Sequence, residues 1–230
     1  SAASDVYKRQ ARAYTDIGFM TSSRPIGEDV HFLFQQLTGF GRFRELKKLV
    51  EAPFHLHKQI ASWIDAESEA AGKGKPARIM AKMNALMDPD IIRALYQASA
   101  AGVQIDLVVR GACGLRPGVA GVSENIRVRS IVGRFLEHTR VWYFENQGDP
   151  LVYCGSADWM PRNFFSRLEV AFPIEDDDLR QRVVDECLNA AIADNSHAWE
   201  LRADGSYVRI TPGNGQVRSL QDGLLASYSS

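Results

Sequence analysis

Apolar residues at helical spacing alternate along this chain with short apolar runs at strand spacing. From Ile26 to Leu37, Val30, Phe32, Leu33, Phe34 and Leu37 follow a helical period that Gly39 closes. A second helix is expected from Leu56 to Ala71, halted by the turn Gly72-Lys73-Gly74-Lys75-Pro76. Lys73 and Lys75 flank a glycine without a phosphate-loop motif and read as a surface turn. Arg78 to Met83 reads as a strand, and Asp88 is suited to cap a helix that has Pro89 at its first position and closes near Gly102. Gln104 to Val109 follows as a buried strand, giving a β-α-β unit with parallel strands. Ile126 to Val132 alternates Ile126, Val128, Ser130 and Val132 with Arg127 and Arg129, a strand with one charged face. His138 to Phe144 is read as another strand, whose period of two places His138 and Arg140 on one face. Leu179 to Ala193 is expected as a helix burying Val183, Val184 and Leu188. Trp199, Leu201 and Tyr207 then anchor the tail, with a turn at Gly213 to Gly215 before a final helix. The pattern predicts an α/β fold.

Composition narrows the class. With 230 residues, 45% hydrophobic and 10% aromatic, the chain can bury a full core as one large or two small domains. Cys113, Cys154 and Cys187 are far apart and lack CxxC spacing, which argues against a disulfide framework or zinc site and fits a reducing cytoplasm. No apolar run approaches the roughly 18 residues of a membrane span, so no transmembrane segment is expected and any membrane attachment is peripheral. The net charge of -1 conceals a local excess of arginine: Arg110, Arg116, Arg127, Arg129, Arg134 and Arg140 face only Glu124 and Glu137 within that stretch. Paired guanidinium donors suit phosphate, although any one of these arginines is as readily solvated or paired with a carboxylate. The acidic run from Glu175 to Asp178 reads as a solvated helix start.

The chemistry concentrates after Arg134. The spacing His138-x-Arg140-x4-Glu145 is followed by Gly155-Ser156-x-Asp158. Histidine can donate a proton to a phosphoryl oxygen or attack phosphorus itself, because imidazole titrates near neutrality. In parallel sheets ligands collect beyond the carboxyl ends of the strands, where Asn84 and Arg110 fall, with a salt bridge at the sheet end as the other reading of Arg110. Lys82 is a weaker candidate for the same pocket. Gly155 permits close backbone approach, and Ser156 offers a hydroxyl and an amide toward a phosphate oxygen. Glu145 is expected to orient or buffer His138 and Arg140, with Asp158 in support. Asn163 is equally suited to forming a turn, and Tyr14 reads from composition alone as a core tyrosine.

That spacing resembles one half of the paired-histidine signature of the phospholipase D superfamily, with Arg for Lys and Glu for Asp. The segments ARAYTDIGFMT, KMNALMDPDIIRALYQASAAGVQIDLVVRG, RPGVAGVSENIRVRSIVGRFLEHTR and GSADWMPRN resemble, in this order, the long polyphosphate kinase family, from about Ala11 to Arg209. The resemblance implies a phospholipase D-like mixed β-sheet flanked by helices, preceded by the helical tail of an upstream phospholipase D-like domain. It divides the chain into a non-native leader over 1–10, a remnant of that upstream domain over 11–45 and a second domain over 46–230. Its activity is reversible transfer of the ATP terminal phosphate to inorganic polyphosphate through a phosphohistidine that lies upstream of the YTD segment, outside this sequence. Tyr14 then packs on the nucleotide, and Arg110, His138 and Arg167 contact nucleotide or phosphate. ATP and ADP are the expected nucleotide substrates, Mg2+ is expected with its ligands outside this sequence, and the whole protein is expected to be a cytoplasmic homo-oligomer that does not act on nucleic acid. Two rivals remain: a dimeric phosphodiesterase in which His138 is the nucleophile, and a non-catalytic polyanion-binding domain.

Overall fold

The computed structural model describes residues 13–39 and 45–229; the expected leader, Ser1 to Gln10, lies outside them. Its centre is the β-α-β unit read from the sequence: β3 (Arg78–Met83), a helix over Pro89–Ala100, and β4 (Gln104–Val109), with β3 and β4 parallel. Asp88 caps that helix as expected, accepting the amides of Asp90 and Ile91. The strand β5 (Ile126–Ile131) adds in parallel beside β4, and β7 (Val141–Phe144) adds in antiparallel beside β3. A meander through β8 (Leu151–Gly155) and β9 (Glu169–Pro173) leads to the edge strand β2 (Val50–Ala52). On the other side, β10 (Ala198–Leu201) and β11 (Tyr207–Arg209) complete a nine-stranded mixed sheet ordered β11-β10-β5-β4-β3-β7-β8-β9-β2.

Strand alternation distributes apolar residues to two faces. Ile79, Ala81 and Met83 face the larger core, where the helices α2 (Leu56–Gly72) and α3 (Pro89–Ala100) contribute Ile60, Ile64, Ile91 and Leu95. Met80 faces the other side with Val141, Val152 and Cys154, against Val184, Cys187 and Leu188. Those three belong to a π-helical stretch, Val184–Asn189, between α5 (Asp177–Val183) and α6 (Ala190–Ala193). The first helix, α1 (Arg24–Leu37), buries Ile26 and Leu33 with Leu49 near β9. Its buried Asp29 accepts the backbone amides of Lys47, Lys48 and Leu49, a charge-assisted anchor. The short helix α4 (Pro161–Phe165) precedes β9, and α7 (Leu220–Tyr228) ends the described chain.

Three expectations are corrected. The strand expected from His138 begins only at Val141, because Leu136–Glu137 (β6) pairs in parallel with Tyr14–Thr15 (β1) as a separate two-stranded sheet. Val132 lies beyond β5 and is 62% exposed. Trp199 and Tyr207 do not anchor the tail: Trp199 on β10 and Tyr207 on the edge strand β11 are each more than a third exposed, whereas Leu201 is buried.

Below the sheet, Glu67 of α2 is 1% exposed and accepts the amides of Arg78 and Asn146, pinning the start of β3. Burial raises its carboxyl above the usual range, and the Glu145 charge adds to that against the two amide hydrogen bonds. A raised folded-state value means the native chain holds this proton more tightly than the unfolded chain. The associated stability is complete in acid and is lost as pH rises through the raised value. Urea titrations across pH should show the advantage of wild type over Glu67→Gln greatest in acid and shrinking upward; an advantage that grows with pH refutes this.

Candidate functional site

Strand direction decides which residues meet. Asn84 and Arg110 follow β3 and β4, and His138 and Arg140 precede the antiparallel β7, so all four lie at one end of the sheet. Ser156 and Asp158 follow β8 and Arg167 precedes β9, which returns them to that end. Glu145 follows β7 and therefore lies at the opposite end. There it accepts a hydrogen bond from the Tyr143 hydroxyl at 2.5 Å, and its amide donates to the Arg78 carbonyl. It does not orient His138, since the length of β7 separates them.

Two other carboxylates take the orienting role. Asp158 accepts from the Arg140 guanidinium through Nε and Nη2, each at 3.2 Å, and from the Asn84 amide at 2.8 Å. The Asn84 carboxamide in turn accepts Arg110 Nε at 2.8 Å. Arg140 reaches His138 through Nη1, 3.0 Å from Nε2, and also donates to the His138 carbonyl. An arginine N–H can only donate, so Nε2 accepts and Nδ1 carries the proton given to Asp16 at 3.0 Å. The other side of the dyad is the Tyr14 ring, stacked on the imidazole at 4.5 Å between centroids and 15° between planes. His138 and Arg140 thus meet as the spacing implies, but through a folded-back arginine rather than a shared strand face.

Asp16 was missed because nothing in the local pattern marks it. It lies 122 residues from His138, and the parallel pairing of Thr15 with Glu137 sets it in place. The sequence signal available was its place two residues after Tyr14 in AYTD.

The Gly-Ser turn is corrected. The Ser156 amide continues the ladder by donating to the Val170 carbonyl, and its hydroxyl goes to Glu169, so neither donor is open to a phosphate. Gly155 is required by packing, since a Cβ there would lie 3.1 Å from the Trp142 ring and 3.1 Å from the Val170 carbonyl. Glu169, also absent from the sequence reading, receives the buried Asn163 carboxamide as well. Lys82 is buried and bonded to Glu137 at 2.5 Å, so its charge is already matched where it lines the floor of the cavity beside His138.

The arginines divide into groups. Arg127 faces Asp106 at 3.7 Å, and Arg129 donates to the Ile192 carbonyl, so both support the fold. Arg116 and Arg134 are exposed. Among the described residues the Arg110 guanidinium bonds only through Nε, and Arg167 is exposed without an ion pair. The sheet end that holds His138 holds Arg167, but no bond joins it to the network.

His138, Arg140 and Asp16 border a cavity of about 410 Å³, walled on its far side by Leu179, Arg182 and Tyr228. Cys154 and Cys187 also line it, and burial pushes their thiols up to about 12 and about 11, which keeps them protonated at neutral pH. Elsewhere His57, Asp88 and Asp90 bring ligand atoms within 4.8 Å of one another. Asp88 is committed to capping α3 and Asp90 to Arg93 at 2.8 Å, and the positive end of a helix opposes a cation.

Removing Asp158 strands a mostly buried Arg140 charge. Asp158→Ala should cost about 3 kcal/mol, read by urea denaturation; a loss below about 0.5 kcal/mol, ordinary for a surface site, would remove Asp158 from its central place.

Residues 49–221 match the family model described as polyphosphate kinase C-terminal domain 2. Polyphosphate kinase of Paraburkholderia phytofirmans is 54% identical over 224 residues, covering 97% of this chain and 32% of that protein. Polyphosphate kinase of Neisseria meningitidis serogroup B is 55% identical over 215 residues, covering 93% and 31%. The crystal structure of polyphosphate kinase from Porphyromonas gingivalis superposes with a TM-score of 0.87 at 35% identity, covering 91% of this chain and 32% of that one. This chain spans about a third of the length of the relatives it matches. With the matched region running from the strand β2 to the start of α7, the chain belongs to the polyphosphate kinase family, as its C-terminal part.

Proposed function

We propose that this chain is the C-terminal part of an ATP:polyphosphate phosphotransferase, in which His138 serves phosphoryl transfer initiated by a histidine of a preceding domain. The observation that carries the reading is the Asp16–His138–Arg140–Asp158 network at the carboxyl end of the parallel strands, in a chain of this family. The upstream imidazole would form a bond to the terminal phosphorus of ATP while the bond to the ADP oxygen breaks. A polyphosphate terminal oxygen would then displace that histidine. In the same reading residues 11–45 complete the preceding domain, residues 46–230 form the second, and the whole protein is a cytoplasmic homo-oligomer.

The roles follow from position. His138, held through Nδ1 by Asp16, presents Nε2 toward Arg140, where a proton is exchanged with a departing or entering phosphate oxygen. Arg110, fixed by Asn84, and Arg167, neither with an ion pair among the described residues, offset charge on the transferred group. Tyr14 uses one face on His138 and leaves the other for an adenine ring. Gly155, Ser156 and Asp158 support the turn. Mg2+ would arrive with the nucleotide; Asp16 and Asp158 already hold His138, Arg140 and Asn84, so the carboxylates beside His138 do not fit a metal and no step here involves one.

With the nucleophile elsewhere, this polypeptide alone should bind ATP or polyphosphate weakly in calorimetry and make no polymer. Joined to the rest of its enzyme, His138→Ala should reduce polymer formation by about 10²- to 10⁴-fold, the range for loss of a general acid. Chain elongation by the 230-residue polypeptide alone would overturn the proposal, and release of alcohol from a phosphodiester, lost in His138→Ala, would replace it with phosphodiesterase action.

A further inference from the structure

Behind His138 lies a buried polar knot to which the functional reading assigns nothing. Gln221, near the start of α7, is 4% exposed and grips the backbone of Phe135 twice: Oε1 accepts its amide at 2.9 Å and Nε2 donates to its carbonyl at 2.9 Å. The same Nε2 donates to Glu137 Oε1 at 2.6 Å. The other oxygen of Glu137 accepts Lys82 Nζ at 2.5 Å and Thr15 Oγ1 at 3.1 Å. Glu137 and Lys82 are each 3% exposed.

We propose that Gln221 is a positioning residue for His138, acting through Phe135 and Glu137 to hold the register that sets Asp16 against the imidazole. The inference rests on the catalytic reading of His138. Thr15 pairs with Glu137 in the two-stranded β1–β6 sheet, and the residues just after each strand, Asp16 and His138, form the dyad. Two residues per strand make too small a ladder to define register alone. A side-chain contact must therefore select it, and Glu137 is the point where Thr15, Lys82 and Gln221 converge. A buried polar group that fixes register is the best-attested use of such an arrangement. Lys82 supplies the counter-charge that lets the carboxylate be buried, while Gln221 supplies direction through fixed hydrogen-bond geometry. Gly133 is shaped to this clasp: a Cβ there would fall 2.5 Å from Gln221 Oε1.

The test is proton NMR of the imidazole in the full chain, where the Tyr14 ring stacked on His138 imposes a ring-current displacement. Gln221→Leu should lose most of that displacement while its other core signals stay native. Gly133→Ala presses on the clasp from the opposite side and should do the same. Lys82→Met should also lose it, and Lys82→Met with Glu137→Gln should regain it, since the single carboxamide oxygen still accepts from Gln221 while the amide nitrogen donates to the Thr15 hydroxyl. Wild-type His138 signals in folded Gln221→Leu or folded Gly133→Ala would overturn the proposal, as would a double variant no better than Lys82→Met. A solely structural clasp would lower the unfolding midpoint and leave the native imidazole signals unchanged. No substrate enters this measurement, so absence of nucleotide or polyphosphate binding by wild type would sink the functional reading and leave the positioning result standing.

Discussion

The arrangement of the site depends on one carboxylate, that of Asp158. It accepts two nitrogens of Arg140 and the amide of Asn84, so the end of β3, the approach to β7 and the turn after β8 are tied to a single group. Arg140 and Asp158 retain only 13% and 11% side-chain exposure, where an ion pair gains from reduced screening but must offset the cost of desolvation. The Asn84 amide helps to offset it, because a carboxylate accepting from a backbone N–H as well as a guanidinium leaves less of its hydrogen-bonding capacity unmet. A lysine in the place of Arg140 could not reach both Asp158 oxygens and His138 from one planar group.

From that anchor the polarity of the site runs outward in two directions. Through Arg140 it reaches the imidazole and Asp16; through Asn84 it reaches Arg110, whose guanidinium is gripped, among the described residues, only at Nε. A cation held by a neutral carboxamide keeps its full charge for an anion, whereas one held by a carboxylate does not. This separates Arg110 from Arg140 and from Arg127, which lies near Asp106 at the far end of the sheet. The excess of arginine in the sequence is therefore divided between a guanidinium left largely open at this end of the sheet and others that support the fold.

The second face of the sheet carries a different kind of polarity. Lys82 emerges beside Met80 among apolar neighbours, and its charge is matched by Glu137. The π-helical stretch sets Cys187 over this region, near Cys154, both thiols kept protonated by burial. These groups form the floor of the cavity that His138 borders, so rigidity beneath the imidazole comes from a satisfied buried ion pair and from packing.

Short-range patterning in the sequence determined the local elements: the β-α-β unit with Asp88 capping its helix, the helices α1 and α2, and the long final helical run before β10. Each is decided by residues a few positions apart through periodicity, capping and glycine stops, and the HxR spacing placed His138 and Arg140 together for the same reason. Tertiary structure alone decided where β7 begins, because the backbone of Leu136 and Glu137 finds its partner in Tyr14 and Thr15, more than a hundred residues earlier. It also replaced Glu145 by Asp16 and Asp158 as the carboxylates around His138, closed the Ser156 donors within the β8–β9 ladder, and buried Lys82. Hydrogen bonds and ion pairs are satisfied by whichever groups the sheet brings within about 3 Å, and spacing along a chain does not encode that distance.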